Sequence, residues 1–280
     1  MKKLFVSLVV ILLAIGTLIW GFGGCCKCCK ENKCIQKEDL ERHMMFVQLA
    51  AESSTFNLIK EKLYLMVNCV VKEELGLNLD YDFDFYMPKA GAQRITLYYL
   101  NDTDLKGIDF IDSVLKNVLQ KNKNNFDLKN VALGTEVNLF SGPTGDQKEE
   151  LVLMISDPSK ELVALNGELK IAMRNANQEY MGEHNVFLYD VEKAEEHTFL
   201  PHVGILRIRS GSIKNYIEEH MDDVVQFDQV YARIEKRVLD EAQEIVKAVL
   251  SENDSKLKFN NVCLFELPSK KCIKEYKLLE

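Results

Sequence analysis

Three residues on two predicted strands have side chains that could bind a phosphate group or transfer protons to and from it. His202 stands between Pro201 and an apolar run that alternates in the manner of a strand. Imidazole exchanges protons near neutral pH, so it suits both acid and base roles. Arg94 and Thr96 share one face of a second predicted strand, and a guanidinium grips phosphate through its planar fork. These residues are the candidates for chemistry, although each type is also common at ordinary strand and surface positions.

The other histidines carry less signal. His197 lies five residues before His202 and is a candidate replacement acid, but "EKAEEHTF" is more typical of a solvated loop. Three more show no spacing that suggests chemistry: His43, His184 and His220.

Composition excludes a general nucleic-acid surface. The chain has 280 residues, 47% hydrophobic and 28% charged, which is an ordinary globular balance. Its formal net charge is −8, so no global basic field attracts DNA or RNA. Phosphate binding therefore needs a local site.

The first 24 residues predict a signal sequence or a membrane anchor. Lys2 and Lys3 precede an uncharged run, from Leu4 to Gly24, that is rich in Leu, Ile and Val and just long enough to span a bilayer. Small residues before Cys25 suggest a lipidated cysteine as one option, beside an uncleaved anchor and a cleaved signal. We expect a membrane-anchored or exported protein, extracytoplasmic, although lysines on both sides of the run leave the topology ambiguous.

Cysteine spacing predicts neither a metal site nor a disulfide framework. Five of the 8 cysteines lie in "CCKCCKENKC", within a polar tether over 25–40, without a histidine and without a second cluster. Cys69, Cys263 and Cys272 are interpreted as core or strand positions, and their odd number gives no framework. No cofactor is expected.

Strand and helix patterns are mixed within one domain, over 41–280, which indicates an α+β fold. Predicted strands cover 43–50, 94–100, 126–133, 135–141, 150–156, 202–209, 259–267 and 272–279. Predicted helices cover 53–76 and 228–250, follow Ile108, open with Asp157 as N-cap, and begin at Ser212, whereas 175–198 is expected to be irregular. This order of strands and helices occurs twice along the chain, which predicts two similar lobes at 94–156 and 199–278.

In their order and spacing, these segments resemble the two-histidine (2H) phosphoesterase superfamily, which includes 2′-5′ RNA ligase-like proteins and cyclic phosphodiesterases. "QRITLYYL" resembles the family's first His-x-Thr strand, and "FLPHVGILRI" resembles the second, with its preceding Phe-x-Pro and later Arg207. "MMFVQLAAE", "LVLMISDPSKELVALNGEL" and the closing hairpin complete a likeness over 43–278. The resemblance implies two pseudo-symmetric lobes, antiparallel sheets flanked by helices around a central cleft, and metal-free opening of cyclic phosphates by two imidazoles.

The chain departs from this pattern in both motifs. Arg94 stands where the first histidine is expected, and Gly204 stands where the second Thr or Ser is expected. Arginine stays charged at neutral pH and cannot trade protons, and glycine offers no side-chain donor. Thr96 and His202 are the surviving parts.

The resemblance therefore implies a membrane-tethered protein that binds a nucleotide or an RNA cyclic-phosphate end. Arg94, Thr96 and Arg207 would hold the phosphate and His202 would be the catalytic imidazole, with hydrolysis weak or lost. Two alternatives stay open: an active phosphodiesterase with a rearranged dyad centred on His202, and a non-catalytic surface interaction protein.

Overall fold

The structure is a computed structural model that describes residues 42–76, 85–86, 93–121, 128–141, 148–195, 198–208, 225–267, 269 and 271–278. Several predictions from the sequence lie outside these residues: the N-terminal segment 1–24 with Cys25, the tether 25–40, the helix from Ser212, His197 and His220. Within the described part of the chain, no helix is long and apolar enough to cross a membrane.

Strands and helices are interleaved along the chain, as the sequence predicts. The strands are β1 (Arg42–Glu52), β2 (Phe85–Tyr86), β3 (Gln93–Asp104), β4 (Ala132–Ser141), β5 (Lys148–Ser156), β6 (His202–Ile208), β7 (Lys258–Glu266) and β8 (Lys271–Lys277). The α-helices are α1 (Ser54–Leu75), α2 (Ile108–Lys121), α3 (Glu161–His184), α4 (Val191–Glu195) and α5 (Val225–Glu252). Single 3-10 turns occupy Leu105–Gly107 and Leu128–Asn130.

The strands form two antiparallel sheets. The first sheet has the order β3-β1-β7-β8, and the second sheet has the order β2-β6-β5-β4. Neither sheet is confined to one of the expected lobe ranges, 94–156 and 199–278, because β3 shares a sheet with β7 and β8. The closing hairpin, β7 with β8, forms as predicted.

Alternating side chains build one core beneath both sheets. In β1, Met45, Val47 and Leu49 are fully buried, and the residues between them are half-buried. The same core includes apolar residues of the second sheet and the buried faces of α1, α2, α3 and α5. The face of each sheet that is turned away from this core is half-buried and carries the polar side chains discussed below.

Helix α1 has both end signals that the sequence offers. Ser53 is the N-cap, and its hydroxyl accepts a hydrogen bond from the Phe56 backbone N–H. Such a cap contributes about 1 kcal/mol. Gly76 ends the helix in the left-handed region at φ 72°, a conformation that glycine adopts without a Cβ penalty.

Helix α3 corrects two expectations. Asp157 accepts hydrogen bonds at 2.9 Å from the backbone N–H groups of Glu161 and Leu162, but the helix begins at Glu161, after a turn that contains Pro158. The side chain therefore caps the helix from four residues away. The helix continues to His184, so much of the stretch 175–198 is regular rather than irregular, and Asn177 inside it bonds to the backbone of Leu188 and Tyr189.

Two further expectations are wrong. The separate strands predicted at 126–133 and 135–141 form one strand, β4, preceded by a 3-10 turn, and the close approach of Gly134 to the backbone of Met154 lets that strand run through. A disulfide was not expected, yet Cys263 and Cys272 form one across β7 and β8, where their Cα atoms lie 5.7 Å apart. Counting cysteines could not reveal this pair, because a disulfide depends on the distance between the two residues in the folded hairpin.

Candidate phosphate site on two bulged strands

Strand β3 carries a β-bulge directly after its candidate residues. Thr96 pairs with Gln48 of β1 and Tyr98 pairs with Val47, so Leu97 is an extra residue. Leu97 is fully buried. The bulge shifts the alternation, so Arg94, Thr96 and, three positions later, Tyr99 are half-buried on one face.

Strand β6 carries the same irregularity at the same position. Gly204 pairs with Val152 of β5 and Leu206 pairs with Leu151, so Ile205 is the extra residue, and it is fully buried. His202, Gly204 and, three positions later, Arg207 are the half-buried residues of this strand.

The two strands are therefore equivalent in register. Each has its bulge three residues after the first candidate position, which is Arg94 in one strand and His202 in the other. Thr96 matches Gly204, and Tyr99 matches Arg207. Strands β3 and β6 also contact each other, so the two sheets adjoin at these strands.

Arg94 lies over the first sheet, in contact with side chains of β1 and β7. Its Nη1 donates at 3.4 Å to Gln48 Oε1 and at 3.4 Å to Cys263 Sγ. Its guanidinium carbon is 4.8 Å from the centroid of the Phe265 ring, which is cation–π distance. Gln48 in turn donates to Thr96 Oγ1 at 3.4 Å. These contacts position the guanidinium over the Phe265 ring.

His202 is fixed in one tautomer when neutral. Its Nδ1 lies 2.7 Å from the carbonyl oxygen of Leu200, which can only accept, so Nδ1 carries the hydrogen. Nε2 then has the lone pair that a base requires. The Phe140 ring packs edge-on at 4.8 Å between centroids. The imidazole is thus positioned as a base, and neither of these contacts is a titratable group.

A carboxylate occupies the place of the missing hydroxyl. A Cβ added to Gly204 would lie 2.9 Å from Glu150 Oε1. The other carboxylate oxygen of Glu150 forms a very short ion pair with Arg207 Nη2. Both side chains are about 30% exposed or less. Arg207, predicted to bind phosphate, is thus already paired with an internal anion.

Tyr99 connects the first sheet to this ion pair. Burial raises the pKa of its phenol, and the negative charge of Glu150 raises it further, while Arg207 and a hydrogen bond with Thr96 lower it. These influences place the phenol close to Glu150 and Arg207 across the junction of the sheets. They favour the neutral phenol.

The structure places Arg94 and Thr96 on one face of β3 and His202 and Arg207 on one face of β6, and these two strands contact each other. Arg207 is paired with Glu150, a residue that sequence reasoning missed. The available signal was a charge at the start of the otherwise apolar strand "ELVLMIS". Among the described residues, no group of three or more His, Cys, Asp or Glu side chains could hold a metal ion.

Fold and site together define an α+β protein whose two four-stranded antiparallel sheets meet along a pair of bulged strands. No protein-family model matches the sequence. No curated protein matches it either.

Solved structures do resemble it. Usb1 of Kluyveromyces marxianus in complex with uridine monophosphate aligns at a TM-score of 0.49 and 12% identity, covering 85% of this chain and 99% of that one. Another structure of Kluyveromyces marxianus Usb1 aligns at the same TM-score and identity, covering 98% of that chain.

Proposed function

We propose that this chain is a two-histidine phosphoesterase-type protein that binds the cyclic-phosphate end of an RNA or nucleotide and has weak or no hydrolytic activity. The observation that carries the proposal is the matched pair of bulged strands. Arg94 and Thr96 on β3 occupy the same register positions as His202 and Gly204 on β6, and the strands are in contact. Two motifs that face one ligand from two sheets need this equivalence.

Binding is assigned to Arg94 and Thr96, with His202 on the other side of the ligand. Arg94 lies on the same half-buried face of β3 as Thr96, and its guanidinium would bind phosphate oxygens through its planar fork. A charge-assisted bond of this kind contributes about 1.5–3 kcal/mol. Thr96 supplies a hydroxyl on the same face of β3.

Hydrolysis requires two proton transfers, and the chain supplies a group for one of them. Nε2 of His202 can take a proton from an attacking water as its oxygen bonds to phosphorus. The ribose oxygen that leaves needs a proton in return, and Arg94, at the matching position, remains charged and does not deliver one. Loss of one acid–base group lowers the rate by a factor of about 100 to 10,000.

The rearranged-dyad alternative needs a titratable partner for His202. The ring contacts Phe140 and the Leu200 carbonyl, and the nearby carboxylate of Glu150 is bound to Arg207. This environment favours a binding role over an efficient rearranged enzyme.

A membrane location is part of the proposal. The apolar run over residues 4–24 would tether the domain, on the exported side. Carbonate extraction of cells that express the full chain or a variant lacking residues 1–24 tests this: the full chain should stay in the membrane pellet and the shortened chain should not.

The binding proposal is tested with a fluorescent oligoribonucleotide that ends in a 2′,3′-cyclic phosphate and the same oligonucleotide with a hydroxyl end. We expect the full-length chain to prefer the cyclic-phosphate end, and Arg94→Ala to weaken that binding by roughly tenfold or more. The control is Arg174→Ala, which removes the same charge from an exposed position of α3. Equal affinity for both ends, or an equal effect of the two variants, would contradict the proposal and favour the interaction-protein alternative.

A further inference from the structure

The absence of a side chain at Gly204 leaves a space that the Glu150 carboxylate occupies. This arrangement bears on which ligands a phosphate site here would accept. Because Gly204 has no side chain, the Glu150 carboxylate can lie over it, at a distance that would be 2.9 Å from a Cβ. A threonine or serine at this position would direct its hydroxyl into that space. Glu150 thus replaces a neutral donor with a negatively charged acceptor.

The position of the carboxylate is fixed by its surroundings. Arg207 Nη2 holds one oxygen of Glu150 in a short ion pair. Tyr99 of the first sheet is near enough for the charge of Glu150 to raise the pKa of its phenol, after the larger effect of burial. The negative charge therefore lies beside Gly204, on the face of β6 that carries His202 and Arg207.

A carboxylate at this place acts on the charge of the ligand. Like charges at close range in a partly buried site repel more strongly than in bulk water. A cyclic phosphate or an internal phosphodiester carries one negative charge. A terminal phosphomonoester has a second pKa near 6 and carries close to two negative charges at pH 8. The second charge raises the repulsion with Glu150. Arg207 offsets part of this repulsion, but it is bound to Oε2, whereas Oε1 is the oxygen that lies over Gly204.

We infer that Glu150 is a specificity-determining residue that makes the site selective for singly charged cyclic phosphates and phosphodiesters and rejects doubly charged phosphomonoesters. The inference rests on the proposed phosphate-binding function. It adds the class of ligand and the reason for it, namely an internal carboxylate that occupies the second hydroxyl position. A product of ring opening, a phosphomonoester, would accordingly be released rather than retained.

The test compares two ligands with the same base and sugar at pH 8: 2′,3′-cyclic UMP as the monoanion and 3′-UMP as the dianion. Calorimetric titration is done on the full-length chain, on Glu150→Gln, and on Glu136→Gln, a matched substitution at an exposed residue of β4 in the same sheet. Glutamine is isosteric and keeps an oxygen for Arg207. Unchanged affinity for the cyclic ligand then reports that the variant site is intact.

We expect the parent to favour the cyclic ligand. Glu150→Gln should raise the affinity for 3′-UMP by about tenfold and leave cyclic binding within about threefold. Glu136→Gln should change neither.

The experiment distinguishes failure of this inference from failure of the proposed function. If the parent binds the cyclic ligand through Arg94 but Glu150→Gln leaves the ratio of the two affinities unchanged, the inference is overturned and the proposed function stands. Loss of both ligands in Glu150→Gln also overturns it, because the carboxylate would then support binding. If neither ligand binds to the parent or to Glu150→Gln, the proposed function fails, and the inference fails with it.

Discussion

Strands β3 and β6 have the same backbone plan and different chemistry. Each has an extra, fully buried residue three positions after its first candidate side chain, Leu97 in β3 and Ile205 in β6. The first strand presents a cation and a hydroxyl, through Arg94 and Thr96. The second presents an imidazole at His202 and nothing at Gly204. The same backbone plan can thus position different functional groups on the two strands.

The side chains that surround the motifs of β3 and β6 also differ. Beneath Arg94, the first sheet offers the Phe265 ring and contacts with Gln48 and Cys263. Beside Gly204, the second sheet offers an ion pair between Glu150 of β5 and Arg207 of β6. An aromatic ring therefore lies beneath the motif of β3, whereas a carboxylate from the neighbouring strand lies beside the motif of β6.

The largest expected effect comes from restoring the missing acid–base group on β3. Arg94→His would place imidazoles at both equivalent positions, and we expect hydrolysis of 2′,3′-cyclic UMP to rise at least about 100-fold over the parent. Arg94→Ala, the control, removes the charge without adding an imidazole and should give no gain. If Arg94→His is as inactive as Arg94→Ala while both remain folded, the equivalence of the two strands is not sufficient for catalysis.

The two bulge residues provide a test of the shared backbone plan. Leu97→Ala and Ile205→Ala each remove a fully buried side chain, and each should lower the free energy of unfolding by about 2–5 kcal/mol. Urea denaturation followed by circular dichroism measures both. Comparable losses support equivalent roles, whereas a loss confined to one variant would show that only one bulge is packed as described.

The disulfide distinguishes the first sheet. Cys263 and Cys272 are nine residues apart, and the closed loop should contribute about 2–3 kcal/mol to the free energy of unfolding. Cys272→Ser should lose this amount, and addition of a reductant should bring the parent to the same value without affecting the variant. A reductant effect of equal size in Cys272→Ser would contradict this assignment, because Cys69 is a free thiol that a reductant leaves unchanged.

The smallest effect concerns the far end of β3. The Tyr180 hydroxyl donates at 2.9 Å to Asp104, and burial followed by this acid raises the pKa of Tyr180 to about 12. A phenol with a raised pKa stabilises the fold fully below its unfolded pKa of about 10, and that contribution is lost as the pH rises from about 10 to about 12.

Tyr180→Phe should therefore cost about 1.5 kcal/mol at pH 8 and less at pH 11. Urea midpoints of parent and variant at the two pH values give the comparison. A difference that stays constant with pH would mean that the hydroxyl does not titrate in this range.

Much of the fold follows from local sequence signals. Ser53 and Gly76 delimit α1 because a serine cap and a left-handed glycine are the usual ends of a helix. Alternation predicts β1, β3 and β6 because one face of each is buried. Where prediction failed, the deciding interaction was distant in sequence: Asn177 bonds to the backbone at Leu188 and Tyr189, within a stretch that looks polar and irregular.

The site was predicted only in part, for the same reason. Arg94, Thr96 and His202 stand in recognisable strand patterns, so their types and spacing could be interpreted. The role of Glu150 depends on its side chain reaching over Gly204, a residue 54 positions away, and Arg207 cannot be assigned before its partner is known. Pairing across a sheet was the missing information in each case.

The two bulges also affect how this chain is compared with others. A comparison that steps through β3 or β6 two residues at a time assigns Tyr98 and Leu206 to the ligand face, whereas both are buried. The side chains on that face are Tyr99 and Arg207. Profiles for proteins with this pair of strands should therefore allow a one-residue insertion after each motif. Without this insertion, the residues that follow the bulge in each strand are aligned with residues of the opposite face of the sheet.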